Sequence, residues 1–251
     1  TKLKNVCVVL LALGVLGTGA GLMAYRSLAA EPPQPQAGEP APGPKARDVI
    51  ARDRARVSTS YTRDYPLVIA KGRGATVEDV DGNVFLDCTA GIAVASTGHS
   101  HPAVVQAITE QAQKFLHMSG TDFYYELQAR LGEEMAALVP IAGPQRSFFS
   151  NSGTEANEAA LKLAKFATGR YNVIAFFGAF HGRSMGSLSL TASKVRQRQH
   201  FGPLVPGVYH APYPDTYRSG LSPDATADRC IEFIEQQLFV HLVSPDEVAA
   251  I

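Results

Sequence analysis

Two stretches of this chain hold residue types that do chemistry. The first is Ser147-Phe148-Phe149-Ser150-Asn151-Ser152-Gly153-Thr154-Glu155-Ala156-Asn157, where apolar residues give way to small polar ones and a helical run follows. The first N–H groups of a helix have no partner inside it and point outward. Together with the helix dipole they attract an anion. Gly153 has no Cβ, so a ligand can approach its backbone closely, and Ser152 and Thr154 add hydroxyl donors. The same residues equally suit an ordinary capped helix, with Ser152 as N-cap and Glu155 completing a capping box. Other phosphate and nucleophile signatures are missing. There is no GxxxxGK[ST] loop, no GxGxxG after a strand, and no GxSxG around Ser152.

The second stretch is Phe176-Phe177-Gly178-Ala179-Phe180-His181-Gly182-Arg183-Ser184, which follows an apolar strand. This places it at the carboxyl end of a sheet, where α/β proteins bind ligands. Phe180 lies between small residues, so its ring can face a ligand or pack in the core. Arg183 can grip a carboxylate through two parallel hydrogen bonds, or form a surface ion pair. His99-Ser100-His101 lacks a third or fourth ligand nearby, and Gly98 and Pro102 suggest a turn. These histidines read as turn residues, and no metal ligand is assigned. Cys7, Cys88 and Cys230 show no CxxC spacing, which argues against a disulfide framework or a structural zinc; they read as small buried apolar residues.

The elements that must position these stretches follow from pattern. Thr76–Val80 and Val84–Asp87 flank Asp81-Gly82-Asn83 and predict a hairpin. Pro102 opens a helix in which Val105, Ile108, Ala112 and Phe115 recur at helical spacing. Further helices are expected over Tyr124–Leu138, Thr154–Thr168 (stopped by Gly169) and Asp224–Phe239. Strands are expected over Ser147–Phe149, Asn172–Phe177 and from Glu247 onward. Strands alternating with helices imply an α/β body with a mostly parallel sheet. With 23 basic and 23 acidic residues the formal net charge is zero, so nothing draws the chain to nucleic acid.

Residues 1–44 have a different character. Val6–Tyr25 is an apolar run flanked by Lys2, Lys4 and Arg26 and long enough to span a bilayer. Residues 1–30 are read as a membrane anchor, with a signal peptide or a buried helix as alternatives. Residues 31–44 hold six prolines and read as an extended linker. The catalytic body is placed at 45–251, opening with a solvated helix over Lys45–Val57.

Taken together the landmarks Gly91-Ile92-Ala93-Val94, Thr97-Gly98-His99-Ser100-His101-Pro102, Asn151-Ser152-Gly153-Thr154-Glu155-Ala156-Asn157-Glu158 and Phe180-His181-Gly182-Arg183 resemble the class III aminotransferases. The resemblance runs from about Tyr61 to Ile251, and residues 1–44 have no counterpart in the family. It implies the fold type I architecture of pyridoxal-phosphate enzymes and a homodimer. It also implies roles: Ser152, Gly153 and Thr154 at the cofactor phosphate, Phe180 stacked on the pyridine ring with His181 beside it, and Arg183 on a substrate carboxylate. Ile92 occupies the position where ornithine aminotransferases carry tyrosine and 4-aminobutyrate enzymes isoleucine. Ser184 stands where threonine is more usual.

The activity implied is transamination of an ω-amino acid such as 4-aminobutyrate with 2-oxoglutarate as acceptor. An acetylornithine, ornithine or other class III enzyme is the alternative, and a membrane-anchored non-catalytic remnant is the alternative of another class. The family's Schiff-base lysine and ring-nitrogen aspartate are expected beyond Ile251, so no catalytic residue is assigned. The 251 residues alone are expected to be an inactive, poorly soluble fragment. The catalytic domain is expected in the cytoplasm, or held at a membrane if residues 6–25 insert.

Overall fold

The computed structural model describes residues 42–61 and 63–251. They fall into two compact units, residues up to Gln128 and residues from Ala129, with the division inside helix α4 (Glu126–Leu138). The apolar run and most of the proline-rich linker lie outside the described residues. Among the described residues no helix is long and apolar enough to cross a membrane.

The first unit opens with helix α1 (Pro44–Arg56), so Pro44 belongs to the helix rather than to the linker. Its N-terminus is capped from elsewhere in the chain. The Asp81 carboxylate accepts from the N–H groups of Lys45 at 2.9 Å and Ala46 at 3.0 Å, putting negative charge at the positive end of the helix dipole. Asp81 sits in the predicted hairpin turn. Strand β1 (Ile69–Arg73) pairs antiparallel with β2 (Thr76–Asp79), and β2 with β3 (Val84–Leu86). Gly82 takes φ +90, which the turn needs. Below the turn, buried Asp79 accepts from the N–H groups of Asp81 at 2.9 Å and Asn83 at 2.8 Å, and from the Asn83 amide at 2.8 Å. A four-residue turn, α2 (Ala90–Ala93), follows, then α3 (Pro102–Lys114) with Pro102 in its first turn, then α4.

The second unit is built on a parallel sheet in the order β5-β4-β6, formed by β4 (Asn172–Phe176), β5 (Val208–Ala211) and β6 (Val248–Ala250). Strand β4 is central, and its first four residues are buried, as a strand covered on both faces requires. Val173 and Ala175 join Leu161 of α5 (Gly153–Thr168) and Leu190 of α6 (Met185–Leu190) in one apolar cluster. Ile174, between them, joins Leu238 and Val243 in the other, as alternation along a strand demands. Gly169 ends α5 at φ 67, the left-handed cap expected of it.

Three sequence expectations are corrected. Ser147–Phe149 is no strand: among the described residues nothing runs beside it to form a ladder, and Phe148 stays exposed. The helix expected over Asp224–Phe239 is not continuous. It runs as α7 (Pro223–Phe233), passes through a π turn over Ile234–Leu238 and ends in α8 (Phe239–His241). Cys230 is buried as expected, but Cys88 is exposed.

Burial pushes the Asp79 carboxyl up, but the four hydrogen bonds from Asn83, Asp81 and Gly82 outweigh it and hold it below the ordinary aspartate range. A depressed folded-state value stabilises above the unfolded value near 4 and is lost as pH falls through the depressed one. Thermal melts should therefore show the unfolding midpoint falling as pH drops below about 4, and falling less steeply in Asp79→Asn, which starts from a lower midpoint at neutral pH.

Candidate functional site

The N-terminus of α5 forms as a tightly capped helix. Ser152 is the N-cap, and its hydroxyl accepts from the Glu155 N–H at 3.3 Å. The Glu155 carboxylate reaches back to the Asn151 N–H at 2.7 Å and receives the Ser152 hydroxyl at 3.2 Å. Ala156 N–H is bound to the Ser152 carbonyl at 3.1 Å. The N–H groups of Gly153 and Thr154 come before the first intrahelical donor, Ala156, and stay outside the ladder. A Cβ placed on Gly153 would meet nothing within 4 Å. The capped helix and the anion site are thus not rivals: the cap engages some donors and leaves two.

The loop after β4 is tied to this helix end. Ser184 donates its hydroxyl to Glu158 Oε1 at 2.6 Å, so its 2.6 Å contact with Thr154 Oγ1 has Thr154 as donor. Glu158 also accepts from the Ser187 N–H at 3.1 Å, and the Ser187 hydroxyl donates to the Thr154 carbonyl at 3.0 Å. Asn157, buried in α5, donates its amide to the His181 carbonyl at 2.7 Å. The hydroxyls of Ser152 and Thr154 are therefore both committed to protein partners here, and the donors left over at this helix end are the backbone N–H groups of Gly153 and Thr154.

The structure thus brings together Ser152, Gly153, Thr154, His181 and, through the same loop, Phe180 and Arg183. Phe180 is 56% exposed and Arg183 is exposed, with no salt bridge among the described residues. His181 is half-buried, and burial pushes its imidazole below the ordinary value, His210 adding to the effect; the ring is neutral at neutral pH. His181 Nε2 and Asn157 Oδ1 are buried with no partner in the protein. Sequence reasoning passed over Glu158, Ser187 and Thr191, whose hydroxyl accepts from the His181 N–H at 2.9 Å. Two serines and a threonine in an apolar helical run were the available signal, because buried hydroxyls need partners.

Ile92 belongs to the first unit. Ala90, Gly91, Ile92 and Ala93 all take positive φ, 52, 62, 63 and 63, so α2 is one turn of left-handed helix. The N–H groups of Ala93 and Val94 close it onto the carbonyls of Thr89 and Ala90 at 2.7 and 2.9 Å. A left-handed turn costs about 1–2 kcal/mol per non-glycine residue, and a β-branched residue is rare there. Ile92 is 71% exposed, so burial does not offset this. Replacing it with glycine removes the clash but adds chain entropy of about 0.5–1 kcal/mol. Ile92→Gly should leave the unit as stable as before or up to about 1 kcal/mol more stable in denaturant melts, where an exposed apolar-to-glycine change elsewhere destabilises.

The family profile described as Aminotransferase class-III matches residues 58–251. The chain belongs to that family. Among curated relatives it is 37% identical over 237 residues to an alanine/serine racemase of Pyrococcus horikoshii, covering 92% of this chain and 48% of that one. It is 37% identical over 204 residues to a 4-aminobutyrate aminotransferase of Mycobacterium tuberculosis, covering 78% and 45%. It superposes on the taurine:2-oxoglutarate aminotransferase of Bifidobacterium kashiwanohense, solved in complex with PLP and glutamate, with a TM-score of 0.72 and 27% identity over 81% of this chain and 46% of that one. The chain spans about half the length of the curated relatives it matches.

Pyridoxal phosphate is the cofactor of this family, and the residues present fit it. Two N–H groups outside a helix ladder suit its phosphate, the open space over Gly153 suits close approach, and His181 Nε2 is a buried polar atom lacking a protein partner. Because a Cβ on Gly153 clashes with nothing in the protein, Gly153→Val should fold normally. In titrations of the full-length protein followed by absorbance, it should weaken cofactor binding by about tenfold or more; unchanged affinity would remove Gly153 from the phosphate site.

Proposed function

We propose that the full-length protein moves the amino group of an ω-amino acid such as 4-aminobutyrate to a 2-oxo acid, 2-oxoglutarate, as a homodimer using pyridoxal phosphate. The observation that carries this reading is the single hydrogen-bonded assembly joining the α5 N-terminus to the Phe180–Ser184 loop, with Arg183 exposed beside it. When bound, the cofactor supplies an electron sink for the carbon that loses its proton. The N–H groups of Gly153 and Thr154 bind its phosphate, and Phe180 lies against the ring. His181 offers a neutral imidazole, so it adds no second positive charge beside a cationic amine. Arg183 holds the donor carboxylate by a two-point charged contact. Ile92 presents an apolar wall, which offers nothing to the second amino group of an ornithine-like donor.

A second reading is racemisation or epimerisation of an α-amino acid on the same scaffold, favoured by the identity to the alanine/serine racemase across nearly the whole chain. Steady-state kinetics of the full-length protein separate the two. In the transaminase reading, 4-aminobutyrate and 2-oxoglutarate yield glutamate, and Arg183→Ala lowers kcat/KM by roughly 10–100-fold for that donor, while amines without a distal carboxylate change little. Loss of optical activity from L-alanine without any oxo acid, in the absence of glutamate formation, would instead establish the racemase.

A further inference from the structure

We propose that Asp87 and His99 are positioning residues for donor choice: together they hold α2 left-handed, and that turn fixes where the Ile92 side chain stands. The inference rests on the reading of Ile92 as a substrate-side residue.

The turn has no local reason to be left-handed. Of its four residues only Gly91 accepts positive φ without penalty. What holds it is a single carboxylate. Asp87 Oδ1 accepts from the N–H and the hydroxyl of Thr89 at 2.8 and 2.7 Å, and Oδ2 accepts from the Gly91 N–H at 2.7 Å and from His99 Nε2 at 2.6 Å. Two of those four donors are backbone groups at the start of the turn, so the carboxylate dictates the direction in which the chain leaves β3. These bonds also hold Asp87 far below the ordinary carboxyl range, with Thr89 and then His99 the chief causes, so it stays charged.

His99 is itself fixed by the sheet. Its N–H and carbonyl both pair with Gly74, at 2.8 and 2.9 Å. Its side chain lies so close over β1 that a Cβ on Gly72 would come within 2.9 Å of the His99 Cβ. Asp87 is likewise tied to the sheet by its N–H, which donates to the Ala75 carbonyl at 2.8 Å. A three-stranded frame therefore grips a strained turn through one hydrogen-bonded carboxylate. Ile92, at the apex, is 71% exposed, and its N–H donates to the Thr89 hydroxyl at 3.4 Å, the same hydroxyl that Asp87 holds. In a relaxed right-handed turn the chain between Thr89 and Ala95 follows a different path and Ile92 points elsewhere.

The test uses the full-length holoenzyme and two readouts: hydrogen exchange of the amides of residues 93–95, and the ratio of kcat/KM for 4-aminobutyrate over ornithine. Asp87→Ala and His99→Ala should each speed exchange by about tenfold or more. They should shift the donor ratio in the direction Ile92→Ala shifts it, chiefly through KM. His99→Gln, which keeps a donor towards Asp87, should restore both, and Asp87→Ala combined with Ile92→Ala should shift the ratio no further than Ile92→Ala alone. If Asp87→Ala fails to fold, Asp87→Asn, which keeps one acceptor oxygen, carries the same expectations in milder form. Unchanged exchange in these variants overturns the proposal. So does faster exchange without a ratio shift while Ile92→Ala does shift it, in which case the substrate role of Ile92 stands. If Ile92→Ala itself leaves the ratio unmoved, that role falls and the specificity claim falls with it.

Discussion

The Glu158 carboxylate is the point on which the α5 N-terminus and the loop packed against it depend. It receives the hydroxyl of Ser184 and the N–H of Ser187, and so clamps the loop after β4 onto the body of α5. The clamp sets proton directions as well as distances. Because Ser184 donates to Glu158, it accepts from Thr154, and the Thr154 hydroxyl has no hydrogen left for a ligand. The two glycines of the loop follow from the same constraint. A Cβ on Gly182 would run into Thr154, and one on Gly186 into the Glu158 carboxylate. The spacing of His181-Gly182-Arg183-Ser184-Met185-Gly186 is what a short chain needs in order to turn over a helix N-terminus and pack against it.

Much of this was legible in the sequence, and the reasons divide by physical cause. Features dictated locally came through: the Gly82 turn, the Pro102 start, the Ser152 cap with Glu155, the Gly169 stop, and the apolar run Val173–Phe176 of β4. Features dictated by partners distant in sequence did not. Strand β5 reads Val208-Tyr209-His210-Ala211, too short and too mixed to announce itself, and it exists because β4 lies beside it. Ser147–Phe149 failed in the opposite sense: its residues favour a strand, but a strand needs a neighbour. Asp81 capping α1 from 35 residues away is likewise invisible to any local pattern.

The candidate site divides in the same way. Gly153, Thr154 and Arg183 could be singled out from residue type and position, whereas Glu158 lay inside a recognised motif without an assigned task. The histidines of His99-Ser100-His101 were read as turn residues rather than ligands, and that reading had no way to anticipate Asp87 twelve positions earlier. Left-handed backbone is harder still to foresee. Glycine advertises it, but alanine and isoleucine do not, and only the bonds made by Asp87 explain why they adopt it.

The two units therefore shape their candidate residues by different physics. At the start of α5 the backbone is relaxed and the cap is complete, so two N–H groups are presented without strain; in α2 the geometry is held against its preference. Unpartnered buried atoms do not by themselves distinguish such places. His101 Nδ1 is as orphaned as His181 Nε2 and Asn157 Oδ1. The difference lies in what surrounds them. Asn157 and His181 are joined to each other through the amide–carbonyl bond, beside a helix end with two N–H groups outside its ladder. Each unpaired buried polar atom costs about 1–3 kcal/mol, and a ligand that satisfies both while binding the N–H groups recovers that cost only in the folded protein. Binding and folding would then be linked: the polar groups that make this corner of the unit less stable alone favour a ligand that donates to Asn157 Oδ1 and offers acceptors to the two N–H groups.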